Sequence, residues 1–107
     1  MEADRLLDNA DELDRYLSDT YGLSRIGYRI LGLLYERGDL TMGNVSTTLG
    51  RSNGTMTAIV DNLEESGFVQ RIRRSDDRRS ISLHLLKPSL YLEARSALND
   101  RIAALVS

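Results

Sequence analysis

Five arginines lie within the nine residues from position 71 to position 79, together with two aspartates. Guanidinium groups form strong, often bidentate hydrogen bonds with phosphate oxygens. A charge run of this kind can be a solvated loop, but a net charge of +3 in so short a segment favours contact with nucleic-acid phosphate. The residues expected to form this contact surface are Arg71, Arg73, Arg74, Asp77, Arg78 and Arg79.

A second set of short polar residues directly precedes this segment. Asn53, Thr57 and Ala58 could contact base edges or a thymine methyl, whereas the alternative is ordinary helix-start chemistry. Gly54 in a first helical turn would let a phosphate approach free backbone N–H groups, and Thr55 could complete the helix cap. The full candidate set for this helix is Ser52, Asn53, Gly54, Thr55, Thr57, Ala58 and Asn62.

The spacing of apolar residues predicts the helix that carries this set. Ser52 is a good N-cap, and one apolar stripe follows it at helical spacing. Gly67 supplies a left-handed residue after the helix, and Phe68 then lies where it can contact Leu63 in a Schellman ending. The stripe consists of Met56, Ile59, Val60 and Leu63.

Two short runs with apolar residues at alternate positions follow, one on each side of the charged segment. They predict a β-hairpin over residues 68–85, which we call the wing. A helix with a small polar outer face followed by a basic hairpin is typical of a winged helix, in which the helix enters the major groove and the wing contacts the backbone or minor groove.

The residues before position 52 predict the rest of a helix-turn-helix. Ser24 caps a helix with a broad apolar face that ends at Gly38, and Leu40-Thr41 can form a short extended link and cap. A short helix then runs from Met42 to Gly50, and Gly50-Arg51 forms the tight turn.

Both ends of the chain predict amphipathic helices with a narrow apolar seam. Such a seam can cover the domain's own core, but on a terminal helix it favours pairing with a second chain. We therefore expect one winged helix-turn-helix domain over residues 1–107, with dimerisation helices at 1–20 and 88–107 flanking a core at 23–86. The predicted interface residues are Leu6, Ala10, Leu13, Leu17, Tyr91, Ala94, Leu98, Ile102 and Leu105.

Composition excludes several classes of function. The 107 residues contain no cysteine and one histidine, which excludes disulfides, thiol chemistry and cysteine-based zinc sites, and we expect neither a metal nor a cofactor. No nucleophile with a base, paired carboxylates or phosphate loop can be assembled, so an enzyme is not expected. No apolar run approaches the roughly 20 residues of a membrane helix, so we expect a cytoplasmic protein without membrane contact.

The net charge of −2 is unevenly distributed along the chain. Residues 1–20 carry seven acids and two arginines, whereas residues 21–107 carry nine acids and twelve bases. The acidic balance therefore belongs to the first predicted helix and does not argue against nucleic-acid binding by the remainder.

From Leu23 to about Leu85 the sequence resembles the MarR family of winged helix-turn-helix transcription regulators. The resemblance rests on Leu23-Ser24 ahead of Ile30-Leu31, on the run Thr-Ala-Ile-Val-Asp-Asn-Leu at 57–63 with Glu-Glu-Ser-Gly-Phe-Val-Gln-Arg at 64–71, and on Asp77-Arg78-Arg79. It implies that Arg79 enters the minor groove and that Asp77 fixes it. It also implies a homodimer and leaves room for a small-molecule inducer.

These observations predict a mainly α fold with a small β-hairpin wing, of the α+β class. The predicted function is sequence-specific binding of double-stranded DNA by a transcriptional regulator, acting as a repressor on a pseudo-palindromic operator as a homodimer. The alternative is a winged-helix module that binds an acidic protein without specific DNA binding.

Overall fold

The computed structural model describes residues 2–73 and 80–106. Within them the chain forms five helices and three short strands, which confirms the predicted mainly α architecture with a small β wing. The elements are α1 (Glu2–Tyr21), α2 (Arg25–Arg37), β1 (Leu40–Thr41), α3 (Met42–Leu49), α4 (Asn53–Glu65), β2 (Val69–Arg73), β3 (Ile81–Leu85) and α5 (Pro88–Val106).

The contacts divide the chain into two compact units. One consists of Ile26–Pro88 and holds α2 to β3, which we call the winged unit. The other consists of Met1–Arg25 with Ser89–Ser107 and holds α1 and α5, which we call the terminal unit. Within the described residues no helix is long and apolar enough to cross a membrane.

The core of the winged unit is apolar and draws on every helix and on both strands of the wing. The apolar stripe predicted for α4 is the part of that helix that is buried, apart from the half-buried Ile59. The buried residues are Ile30, Leu31, Leu34, Val45, Met56, Val60, Leu63, Phe68, Val69 and Leu83. Burial of this set is the main stabilising term of the unit.

Local capping fixes the helix-turn-helix at the start of α3 and at the turn between α3 and α4. Thr41 accepts a hydrogen bond from the Asn44 backbone N–H at 3.1 Å and so caps α3. Gly50 has φ +64, and the Arg51 N–H donates to the Ser46 carbonyl at 3.1 Å, which reverses the chain directly into α4.

The end of α4 has the predicted Schellman geometry. Gly67 has φ +81 and its N–H donates to the Glu64 carbonyl, while the Phe68 N–H donates to the Leu63 carbonyl at 2.9 Å. This turn sends the chain into β2 immediately after the helix.

The sheet contains one strand more than the predicted hairpin. Val69–Arg73 pairs antiparallel with Ile81–Leu85, as predicted, and β1 pairs with the other edge of β3, giving the order β1-β3-β2. Leu40 lies opposite Leu83 in this register. The sequence predicts an extended link at Leu40-Thr41, but two residues contain no alternation that could predict their pairing.

The terminal unit joins the two end helices through Arg101 of α5. Its guanidinium lies 4.1 Å from the centre of the Tyr16 ring and 3.8 Å from a carboxylate oxygen of Glu12, both on α1. Arg25 donates two hydrogen bonds to Asp14, at 2.8 and 3.0 Å. Both polar contacts are largely exposed, so they add little beyond apolar burial to the stability of this unit.

Candidate nucleic-acid interface

Helix α4 presents a continuous exposed face made of the predicted small polar residues. Asn53, Thr57 and Ala58 are exposed, whereas Met56 and Val60 of the same helix are fully buried. The other predicted residues of this helix, Ser52, Gly54, Thr55 and Asn62, are exposed as well. The structure therefore brings the whole predicted set of α4 to the surface of one element.

The hydroxyl of Thr57 is partly committed to its own helix. It donates to the Asn53 backbone carbonyl at 2.8 Å, so it can accept but not donate a further hydrogen bond. Its methyl group stays available for an apolar contact. The side chain of Asn53 has both donors and acceptors and forms no hydrogen bond with another described residue, which makes it the better candidate for a base edge.

Two hydroxyl groups complete the start of α4. The Ser52 hydroxyl accepts from the Thr55 N–H at 3.3 Å and donates to the Thr55 hydroxyl at 3.0 Å. Both residues therefore have the capping role that the sequence allows as the alternative to ligand contact. A Cβ placed on Gly54 would meet no atom within 4 Å, so the backbone there is open to an approaching group.

Arg51 lies on the same surface and is absent from the predicted set. It is exposed in the turn immediately before Ser52, and its side chain forms no ion pair among the residues the structure describes. The signal for it was its place in the helix-turn-helix turn, where one positive charge stands beside the start of α4.

The wing is described only in part. Arg73, the last residue of β2, is exposed and forms no ion pair within the described ranges. The predicted wing residues Arg74, Asp77, Arg78 and Arg79 lie outside the described residues.

Arg71, which the sequence analysis places among the DNA contacts, is paired with acidic residues of α4 in the structure. Its guanidinium donates to Asp61 at 2.6 Å and to Glu64 at 2.7 Å, and its backbone N–H donates to Glu64 at 3.1 Å. Two of its terminal donors are thus occupied by carboxylates of α4, and its side chain is only 23% exposed. Sequence spacing alone could not reveal this, because the partners lie seven and ten residues away across a turn.

The ionisation of this cluster reflects its hydrogen bonds. Burial tends to lower the pKa of Arg71, but its bonds to Asp61 and Glu64 outweigh burial and raise that pKa above its ordinary value. The hydrogen bond from the Arg71 backbone N–H, followed by those of its guanidinium, holds the pKa of Glu64 below its usual range. Arg71 and Glu64 are therefore both charged at neutral pH.

His84 is the only histidine of the chain and lies in β3, the central strand of the sheet, where it pairs with Gln70 of β2. It is exposed, and its Nδ1 lies 2.8 Å from a carboxylate oxygen of Asp39. Within the described ranges no group of histidine, aspartate and glutamate side chains could hold a metal ion.

The residues predicted for a dimer interface fall into two groups. Leu17, Tyr91, Ala94 and Leu98 are already buried in the single chain, so they offer no surface to a partner. Leu6 is 72% exposed and Ile102 38% exposed, and Ala10, Leu13 and Leu105 are half-buried. Two further exposed apolar residues, Leu7 and Val106, are absent from the predicted set.

The family model for the MarR family matches residues 23–81, which is more than half of the chain. This chain belongs to the MarR family. The match spans most of the winged unit, from α2 to β2 and the first residue of β3. It confirms the resemblance drawn from the α4 and wing motifs.

Named relatives of this MarR-family chain are transcriptional regulators, which agrees with the prediction that it is not an enzyme. The Bacillus subtilis HTH-type transcriptional regulator YkoM is 32% identical over 77 residues, which are 71% of this chain and 50% of the relative. The chain spans about half the length of the curated relatives it matches.

Solved structures share the fold of this MarR-family chain. The transcriptional regulator BldR from Sulfolobus solfataricus is similar with a TM-score of 0.80 and 28% identity, over 90% of this chain and 70% of that one. Reduced AbfR bound to DNA is similar with a TM-score of 0.73 and 24% identity, over 90% and 73% of the two chains. The second likeness shows the fold alone.

Proposed function

We propose that this MarR-family chain binds double-stranded DNA sequence-specifically as a transcriptional regulator, with α4 in the major groove. The observation that carries the proposal is the exposed face of α4. A surface helix would ordinarily carry long charged side chains there, whereas the side chains of this face are short and mostly uncharged, with Asp61 and Glu65 as exposed acids towards its C-terminal end. Such a face lets a helix approach base edges closely.

Backbone contacts surround this helix in the proposed complex. Arg51 and Arg73 are exposed cations on either side of α4 in sequence, and both suit phosphate. Arg74 and Arg78 would add phosphate contacts from the wing, and Arg79, fixed by Asp77, would enter the minor groove as the family resemblance implies. The DNA-bound AbfR structure supports the proposal, because it shows this fold on DNA in another protein.

We also propose that the chain acts as a homodimer on a pseudo-palindromic operator and represses by occupying a promoter. The terminal unit leaves Leu6, Leu7, Ile102 and Val106 exposed. Leu6 and Val106 line, together with Leu105, a groove of about 270 Å³. Exposed apolar residues concentrated on two amphipathic helices support burial against a second copy.

We propose that any compound sensed by this regulator is a small molecule that does not act through a thiol, because the 107 residues contain no cysteine.

A gel-shift titration against random genomic fragments tests DNA binding. We expect retained complexes that weaken steeply between 50 and 200 mM salt, since about six phosphate contacts alone would lower affinity by roughly three orders of magnitude. Absence of any retained fragment at micromolar protein would contradict the proposal and would favour the acidic-protein alternative.

A further inference from the structure

Arg71 occupies the middle of β2, between the core and the exposed part of the wing. Successive side chains of a strand alternate between faces, so Val69, Arg71 and Arg73 share one face. Along this face burial decreases stepwise: Val69 is fully buried, Arg71 is half-buried and Arg73 is exposed. The backbone of Arg71 is opposite Leu83 of β3, which is also fully buried. Arg71 is therefore where the wing leaves the core.

The three hydrogen bonds of Arg71 all end on α4. They reach Asp61 and Glu64, which lie three residues apart and hence on neighbouring positions of one helix face. Both the backbone and the side chain of Arg71 take part, so the strand itself is held as well as the guanidinium. Together with these two carboxylates, Arg71 forms what we call the wing clamp.

The charge of the wing clamp argues against a phosphate site. One guanidinium and two carboxylates carry one net negative charge, and Asp61 is the more exposed of the two acids, at 63%. A phosphate that reached the remaining donors of Arg71 would lie close to both carboxylates. By electrostatics alone the two acids can only weaken the binding of DNA.

We propose that Arg71 is a positioning residue that fixes the wing against α4, so that both engage DNA as one rigid body. The inference rests on the proposed function. Arg73 follows Arg71 by two residues, about 7 Å along the strand. Fixing Arg71 therefore also limits where the Arg73 guanidinium can contact a phosphate while the outer face of α4 contacts the bases. A preorganised pair of contacts binds more tightly than two that must be ordered on binding.

The wing clamp can be opened without removing a cation by combining Asp61→Asn with Glu64→Gln. Both changes keep the size of the side chain and remove a negative charge. If the two acids acted only through their charge, their removal would tighten binding to every duplex. If they position the wing through Arg71, their removal weakens binding to the preferred duplex. We expect affinity for a duplex selected with the wild-type chain to fall about threefold to fivefold, and affinity for an unrelated duplex of equal length to stay or rise.

Glu65→Gln is the matched control for this variant. Glu65 is the next residue of α4, is exposed and forms no ion pair within the described part of the chain. The Glu65→Gln substitution removes a negative charge from the same helix end and leaves the wing clamp intact. We expect it to bind both duplexes as tightly as the wild-type chain or slightly more tightly. If the double variant behaves like this control on the selected duplex, the positioning role is contradicted.

Backbone ¹⁵N relaxation of the free chain separates this inference from the proposed function. With the wing clamp open, order parameters of residues 69–73 and 81–85 should fall while those of α4 stay unchanged. Equal order parameters in both chains would overturn the positioning role even if DNA binding is confirmed. A wild-type chain that binds no duplex would overturn the proposed function, and the relaxation data would still decide whether Arg71 positions the wing.

Discussion

At the scale of single residues, the same side-chain type takes different roles according to its neighbours. Arg71 and Arg73 stand two residues apart in one strand, yet the first is held by two carboxylates and the second is exposed. The sequence predicts one basic surface, because charge density does not distinguish paired from free guanidinium groups. That distinction requires the fold, which brings Asp61 and Glu64 beneath β2.

The division of labour between α4 and the wing can be tested with two alanine substitutions. Asn53→Ala should lower the binding free energy by on the order of 1 to 3 kcal/mol on the preferred duplex and by much less on random DNA, because Asn53 would contact a base edge.

Arg73→Ala should weaken binding about equally on all sequences and lower the salt slope by roughly one. Fluorescence anisotropy at several salt concentrations measures both.

The matched control for the second substitution is Arg73→Lys, which keeps the charge and should keep the salt slope. An Arg73→Ala chain with an unchanged slope would remove Arg73 from the phosphate contacts. An Asn53→Ala chain that loses affinity evenly on preferred and random duplexes would remove Asn53 from the base contacts.

The lowered pKa of Glu64 predicts a dependence of stability on pH. A carboxyl group whose native pKa lies below its unfolded value stabilises the native state above the unfolded pKa and loses that effect as pH falls through the native one. The Glu64→Gln chain should therefore be less stable than the wild-type chain at pH 7, and the difference should shrink as pH falls below about 4.5. Urea unfolding at pH 7, 5 and 3 measures it.

A stability difference that stays constant over this range would show that the ionised carboxylate is not what Glu64 contributes. Glu65→Gln serves as the control again. Glu65 is exposed and has no ion-pair partner among the described residues, so this change should leave the pH profile parallel to that of the wild-type chain.

At the scale of elements, the parts with explicit local signals were predictable. The caps at Thr41 and Ser52, the left-handed Gly50 and the ending at Gly67 each depend on a residue and its near neighbours in sequence, and the structure shows the capping hydrogen bonds that were expected. Helices α3 and α4 consequently begin and end where the sequence places them.

Pairing over long sequence distance was not predictable in the same way. Strand β1 has two residues, and its partner β3 lies about forty residues further along the chain. The buried state of Leu17 and Leu98 likewise depends on how the chain packs, because a narrow apolar seam looks the same whether it meets its own chain or a second copy.

Removal of the α4 cap should destabilise the helix that carries the base-contacting face. Ser52→Ala deletes the acceptor for the Thr55 N–H, which should lower the free energy of unfolding by about 1 kcal/mol. Chemical denaturation measures this change. Thr48→Ala, at an exposed position of α3, should change it by less than about 0.5 kcal/mol. Equal effects of the two substitutions on the free energy of unfolding would contradict the capping role of Ser52.

At the scale of the whole molecule, the exposed apolar residues of the terminal unit define where a second copy would bind. Leu6→Asp combined with Ile102→Asp should abolish the dimer while leaving each chain folded, because both side chains are exposed in the single chain. Leu98→Asp should instead unfold the terminal unit, since it would bury a charge. Sedimentation at micromolar concentration together with circular dichroism distinguishes these outcomes.

A wild-type chain that sediments as a monomer at micromolar concentration and still binds DNA would contradict the proposed homodimer. A Leu6 and Ile102 double variant that stays dimeric would place the interface on another surface. Either result would leave the proposed role of α4 untouched, because that role depends only on the winged unit.

Selection of bound duplexes from a random library tests most directly whether the exposed face of α4 reads a DNA sequence. We expect one enriched motif with two inverted half-sites about one helical turn, ~10 base pairs, apart. The same selection with the Asn53→Ala chain should lose preference at defined positions within each half-site. Recovery of no motif, or of the same motif at full strength with that chain, would contradict the claim.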